Sequence, residues 1–189
     1  FAIFRKEING FFSSLTGYIV IIVFLLVNAL FMWVFPGEWN VLESGYAGLE
    51  TLFFISPWVF LFLVPAVTMR MIAEEKRLGT IELLYSKPVT ERDIIWGKYL
   101  ASIVLVLLAL LPCLIFYISV HNLGETPGNL DKGGILGAFT GLFFLAAIYA
   151  SAGIFASSLT DNQVIAFILA VLICFFLYAG FDSVAYLPG

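Results

Sequence analysis

The residues able to do chemistry are few and unevenly placed. Among 189 residues there are 9 Lys and Arg, 13 Asp and Glu, a single His and two Cys. His121 has no Cys and no second His near it in sequence. Cys113 and Cys174 sit far apart in apolar runs, where a thiol behaves as a small hydrophobe. Paired carboxylates and a usable His are missing from the apolar runs, and no G-x-x-x-x-G-K-[ST] phosphate loop occurs. No catalytic residue and no metal site is therefore expected. What remains is the polar passage 74–98, EEKRLGTIELLYSKPVTERDIIWGK, rich in charge, turn and capping signals. The chemistry it offers is recognition of another protein surface.

The elements that must position this passage follow from composition. With 62% hydrophobic and 12% charged residues and a mean hydropathy of +1.05, the chain cannot cover a water-facing exterior, so it is read as a membrane protein. A window of about 19 residues, the length that crosses ~30 Å of hydrocarbon, finds five spans at 18–35, 53–72, 101–120, 135–157 and 164–181. Their Phe, Leu, Ile and Val run all round, as suits helices bathed in lipid. The expected fold is all-α, a polytopic helical bundle forming one transmembrane domain over 1–189. Pro65 and Pro112 fall inside the second and third spans, where each removes a backbone bond and shapes the helix. Asn28 is expected to bond a neighbouring helix. Gly134, Gly137, Ala138, Gly141, Ala146, Ala147, Ala150 and Gly153 make the fourth span the close-packing one.

Orientation follows from the basic residues, which concentrate on the cytoplasmic side. Arg5, Lys6, Arg70, Lys76, Arg77, Lys87, Arg92 and Lys98 lie before the first span or around the second loop, and only Lys132 lies elsewhere. The N-terminus and 74–98 are thus expected in the cytoplasm. Glu38, Glu43, Glu50, Glu125 and Asp131 fall on the outer side, with Trp33, Trp39, Tyr46 and Trp58 near that interface. The N-terminal residues do not show the charged, apolar and small-residue order of a cleavable signal, so the first span is expected to be a retained helix. An odd number of spans and a first residue other than Met lead to the expectation that the chain is incomplete.

Two flanking pieces complete the layout. Residues 1–16 carry Phe1, Phe4, Ile8, Phe11 and Leu15 at helical spacing, with Arg5, Lys6, Asn9 and Ser13 opposite, the pattern of an interfacial helix whose basic side meets lipid headgroups. Gly10, Thr16 and Gly17 offer places to turn upward. Within 74–98, AEEKR continues the second helix outward through Arg70, whose charge is tolerable near an interface, and Gly79 stops it. TIELLYSK then reads as a short helix with Ile81, Leu84 and Tyr85 on one face, ended before Pro88. Thr90 and Asp93 have capping-box spacing and start a helix that enters the third span. In the turn SLTDNQV, Thr160 and Gln163 stand at the same spacing.

These residues resemble a family, the permease subunits of type 2 ABC exporters. Their loop between the second and third helices reads E-x-x-x-G-T-x-E-x-L-L-x-x-P-[IV]-[ST], then G-K at the foot of the third helix. The matching positions are Glu75, Gly79, Thr80, Glu82, Leu83, Leu84, Pro88, Val89 and Thr90, then Gly97 and Lys98. FRKEINGFF resembles the family's interfacial elbow, although Ser14 and Leu15 stand where many relatives have a Pro. The stretch from Pro57 to Pro88 more narrowly resembles the gliding-motility-associated permeases of Bacteroidetes-type bacteria. The family normally has six spans, so the resemblance leads to the expectation that the sixth is missing here.

The resemblance implies a transmembrane permease of the bacterial inner membrane that couples ATP hydrolysis by a partner to transport or to a gliding- or secretion-related process. The ATP and Mg would be bound by two copies of a cytoplasmic ABC ATPase, and this chain would hold no cofactor and would not itself be an enzyme. A second permease copy or a paralogue would complete the pathway among membrane lipid; nucleic acid is not an expected partner. Glu75, Gly79, Thr80, Glu82, Leu83, Leu84, Tyr85 and Pro88 would form the ATPase-coupling contacts. Arg5, Lys6, Arg70 and Lys98 would anchor the flanking helices at the membrane surface. The alternative is a non-transporting anchor or scaffold of a membrane complex.

Overall fold

A computed structural model describes residues 2–44, 48–80, 82, 90–123 and 130–185. Among them the chain is helical and contains no strand. The elements are α1 (Ala2–Ser13), α2 (Leu15–Ala29), a π-helical turn (Leu30–Val34), α3 (Glu50–Thr68), α4 (Ala73–Arg77), α5 (Glu91–Leu110), α6 (Cys113–Leu123), α7 (Lys132–Leu159) and α8 (Gln163–Ala185). Among the described residues five segments are long and apolar enough to cross a membrane, namely Gly17–Val34, Glu50–Arg77, Glu91–Leu123, Lys132–Leu159 and Gln163–Gly180. The protein is a multi-pass helical membrane bundle.

The core is apolar side chains from α2, α3, α5, α7 and α8, among them Phe24, Phe60, Leu61, Val106, Ala146 and Tyr149. Phe24 and Phe60 stack at 4.5 Å between ring centres. Asn28 is wholly buried, its amide donating to the Phe24 carbonyl at 2.8 Å while its oxygen accepts from Ser56 Oγ of α3 at 3.1 Å. It therefore bonds the neighbouring helix, as its polarity in an apolar span requires.

The two prolines behave differently. Pro112 divides the third span, α5 ending at Leu110 and α6 starting at Cys113. Pro65 lies inside a continuous α3, but the helix stops three residues later. Thr68 Oγ1 donates back to the Val64 and Pro65 carbonyls, a competing bond that bends helix ends. Residues 69–72 are then non-helical, so the second span is two helices joined by a break where a single run to 72 is expected from hydropathy.

The fourth span packs closely only in part. Ala146, Ala147, Ala150 and Gly153 are buried, and a Cβ on Gly153 would collide with Thr68 Oγ1. Around Gly137 and Gly141, by contrast, nothing lies within 4 Å of an added Cβ. Small residues alone do not say which half of a helix meets a neighbour.

Two corners also differ from the sequence reading. α1 ends at Ser13 and Ser14 is extended, so Leu15 opens α2 and is 77% exposed, no longer part of the α1 stripe. Gly17 makes that corner passable, since a Cβ there would sit 2.7 Å from the Phe11 carbonyl oxygen. At the α7–α8 turn Thr160 does not pair with Gln163. Thr160 Oγ1 accepts from the Asn162 amide and Asn162 Oδ1 accepts from the Val164 amide, so Asn162 is the residue that caps α8.

Candidate functional site

The polar passage begins with α4, five residues long and too short to persist alone. Its charges suit its dipole, with Glu74 and Glu75 in the first turn and Lys76 and Arg77 in the last. Gly79 ends it at φ 66, its amide donating to the Lys76 carbonyl at 3.0 Å, the left-handed stop that a glycine makes cheaply. Thr80 Oγ1 donates to the Glu75 carbonyl at 3.3 Å. On the far side of the passage the capping box forms. The Asp93 amide donates to Thr90 Oγ1 at 3.3 Å and the Thr90 amide to Asp93 Oδ2 at 3.2 Å.

What holds α4 in place is a buried ion cluster. Lys98, in the second turn of α5, is 1% exposed. Its Nζ reaches Glu7 Oε1 at 2.7 Å, the Met71 carbonyl at 2.6 Å and Glu75 Oε2 at 3.0 Å. Glu75 Oε1 is held in turn by Lys6 Nζ at 3.0 Å. Two ammonium groups and two carboxylates thus close on one another, with Lys98 donating to Glu7 and to the Met71 carbonyl and pairing by charge with Glu75. A buried cation left without such partners would cost several kcal/mol. One α5 residue thereby ties α1, the break after α3 and the start of α4.

Gly97 makes that approach feasible, because a Cβ there would lie 3.0 Å from Ile3 Cγ2 and 3.3 Å from the Phe4 amide nitrogen. The adjacent Gly97 and Lys98 therefore have one joint effect: the first admits α1 against α5 and the second bonds it. The apolar stripe of α1 packs on protein here, with Phe11 against the cluster of Val67, Met71, Ile72, Leu105 and Ile154.

The structure brings Lys6, Arg70, Glu75, Thr80 and Lys98 together along a crevice of about 530 Å³ between α1 and α4. Arg5 is exposed on the outer side of α1, and Gly79 and Glu82 are exposed beyond α4. Leu83, Leu84, Tyr85 and Pro88, together with Ile81 and most of the expected short helix, lie outside the described residues.

Three participants were missed from sequence. Glu7 carried a signal, since it follows Phe4 by three residues on an apolar stripe, where an acid implies a buried cation opposite. Met71 contributes a carbonyl, which no side-chain pattern reports. Ser157, fully buried near the end of α7, accepts from the Ile72 and Ala73 amides at 3.1 and 3.0 Å and donates to the Met69 carbonyl at 2.9 Å. Lys76 Nζ donates to the neighbouring Ser158 carbonyl at 2.6 Å.

Among the described residues no group of three His, Cys, Asp or Glu is placed to hold a metal ion. What the arrangement can do is mechanical, presenting a polar loop from a base that is bonded to three separate helices. The family model for ABC-2 family transporter protein matches residues 52–188. No curated protein and no solved structure matches the chain.

Proposed function

The chain belongs to the ABC-2 transporter family, as a membrane permease of an ABC exporter, and on that premise we propose that the 74–98 passage is where a cytoplasmic ATPase drives it. ATP and Mg reside in two copies of that ATPase. Two permease halves, twins or paralogues, line the pathway in the bacterial inner membrane, with the N-terminus and the passage in the cytoplasm. ATP binding closes the ATPase pair, and the passage carries the motion into the bundle.

The observation that supports this reading is the footing of the passage. A tether between two spans needs no fixed base, yet here Glu75 is clasped by Lys6 and Lys98 at 3.0 Å each. A force applied beyond Gly79 therefore meets a stiff support and reaches α1 and α5 as well as α3. Glu75, Gly79 and Thr80 form the base in this reading, and Glu82, Leu83, Leu84, Tyr85 and Pro88 form the surface that meets the ATPase. The narrower kinship with gliding-motility permeases rests on residues 57–88 alone, whereas the family match is to the broader class.

The test is to replace Glu82 with Lys or Leu84 with Asp in the assembled transporter. Both variants are expected to lose ATPase co-purification or the stimulation of its turnover by the permease. Wild-type behaviour on both counts overturns the assigned surface.

A further inference from the structure

Where the loop's motion goes once it enters the bundle is set by the break at 69–72. In an unbroken helix, α4 and α3 would move as one rod through their shared backbone bonds. Here the Met71 amide still bonds the Thr68 carbonyl and the Glu74 amide the Arg70 carbonyl, but the groups between them turn sideways. Ser157 Oγ takes the Ile72 and Ala73 amides and gives its proton to the Met69 carbonyl, which uses one donor and two acceptors, the full capacity of a hydroxyl. Lys76 adds its bond to the Ser158 carbonyl at 2.6 Å. Non-helical backbone in a spanning segment persists only where protein satisfies it; at this break the last turn of α7 takes Met69, Ile72 and Ala73, and Lys98 takes the Met71 carbonyl.

We propose that Ser157 is a positioning residue for the transport stroke. It clamps the start of α4 to the end of α7, so that the loop pivots about 69–72 relative to α3 and drags the fourth span with it. The proposal rests on the reading that an ATPase moves the loop. It adds the direction of transmission: α7 is continuous from Lys132 to Leu159, so a displacement at its end passes along the whole helix. Gly153 supports the geometry by letting α7 approach Thr68, the last residue of α3, more closely than any side chain would allow.

The experiment uses the transporter purified with its ATPase and carries spin labels in two pairings. Arg77, the last residue of α4, and Asp161, just beyond α7, are both exposed, and Phe62 is 53% exposed on α3. When nucleotide is bound, the Arg77–Phe62 distance is expected to shift while the Arg77–Asp161 distance holds. In Ser157→Ala the Arg77–Asp161 distance is expected to shift as well, and its distribution to broaden even without nucleotide. An Arg77–Asp161 distance that changes on nucleotide binding in the wild-type protein as much as the other pair overturns the clamp. So does a Ser157→Ala distribution identical to wild type. The nucleotide-free comparison needs no ATPase, so a permease that fails to bring down an ATPase counts against the proposed function and leaves the clamp decided on its own distances.

Discussion

Lys98 Nζ lies 2.7 Å from Glu7 Oε1, joining α5 to a helix 91 residues earlier in the chain. The bond crosses from the start of the third span to the segment before the first. With the Met71 carbonyl and Glu75 as its other partners, Lys98 is the knot of the charged end of the bundle.

Removing that ammonium takes from Glu7 its bond at 2.7 Å and leaves Glu75 with its pair to Lys6. Lys98→Ala is expected to destabilise the protein by about 3–5 kcal/mol, the range for breaking one partner out of a buried ion pair. Thermal unfolding in detergent measures it, with Lys132→Ala at the exposed start of α7 as the control. Equal shifts for the two variants would show that the cluster holds nothing together.

Gly97→Leu is expected to lift α1 off α5, because even a Cβ at 97 already presses on Ile3. A cysteine placed at Ile3 should then react faster with a water-soluble maleimide than it does beside the native glycine. Unchanged labelling would mean that α1 tolerates the larger residue by sliding.

Two glycines of α7 should respond in opposite ways. Gly153→Val drives a side chain into Thr68, an overpacking that typically costs 1–3 kcal/mol, and should lower the yield of monodisperse protein. Gly141→Val meets open space within this chain and should leave folding intact. A reversed order of effects would contradict the packing of α7 on α3.

The parts legible in the sequence were those set by local rules. Hydropathy found the five spans because each is a long apolar run. Gly79 stops α4 and Thr90 and Asp93 start α5 because turn and capping chemistry act within four residues. The ion cluster was less legible, because a lysine just before an apolar run reads as a surface anchor until Glu7 and Glu75 are placed beside it. Ser157 was invisible for a related reason. A serine near a helix end ordinarily bonds its own backbone, and its true partners, Met69, Ile72 and Ala73, become available only where α3 breaks. The break has no Gly or Pro of its own; Thr68 bonds back toward Pro65, and α7 together with Lys98 satisfies the groups released.

The measurement closest to the central claim is purification of the full-length protein from its own membranes in mild detergent, followed by mass spectrometry of what accompanies it. The account predicts a subunit with a phosphate-binding ATPase loop, recovered with the native protein and lost when residues 79–88 are scrambled. Recovery of folded permease with no ATPase, or with the ATPase still bound to the scrambled variant, would contradict the assignment of this passage as the site that receives the stroke.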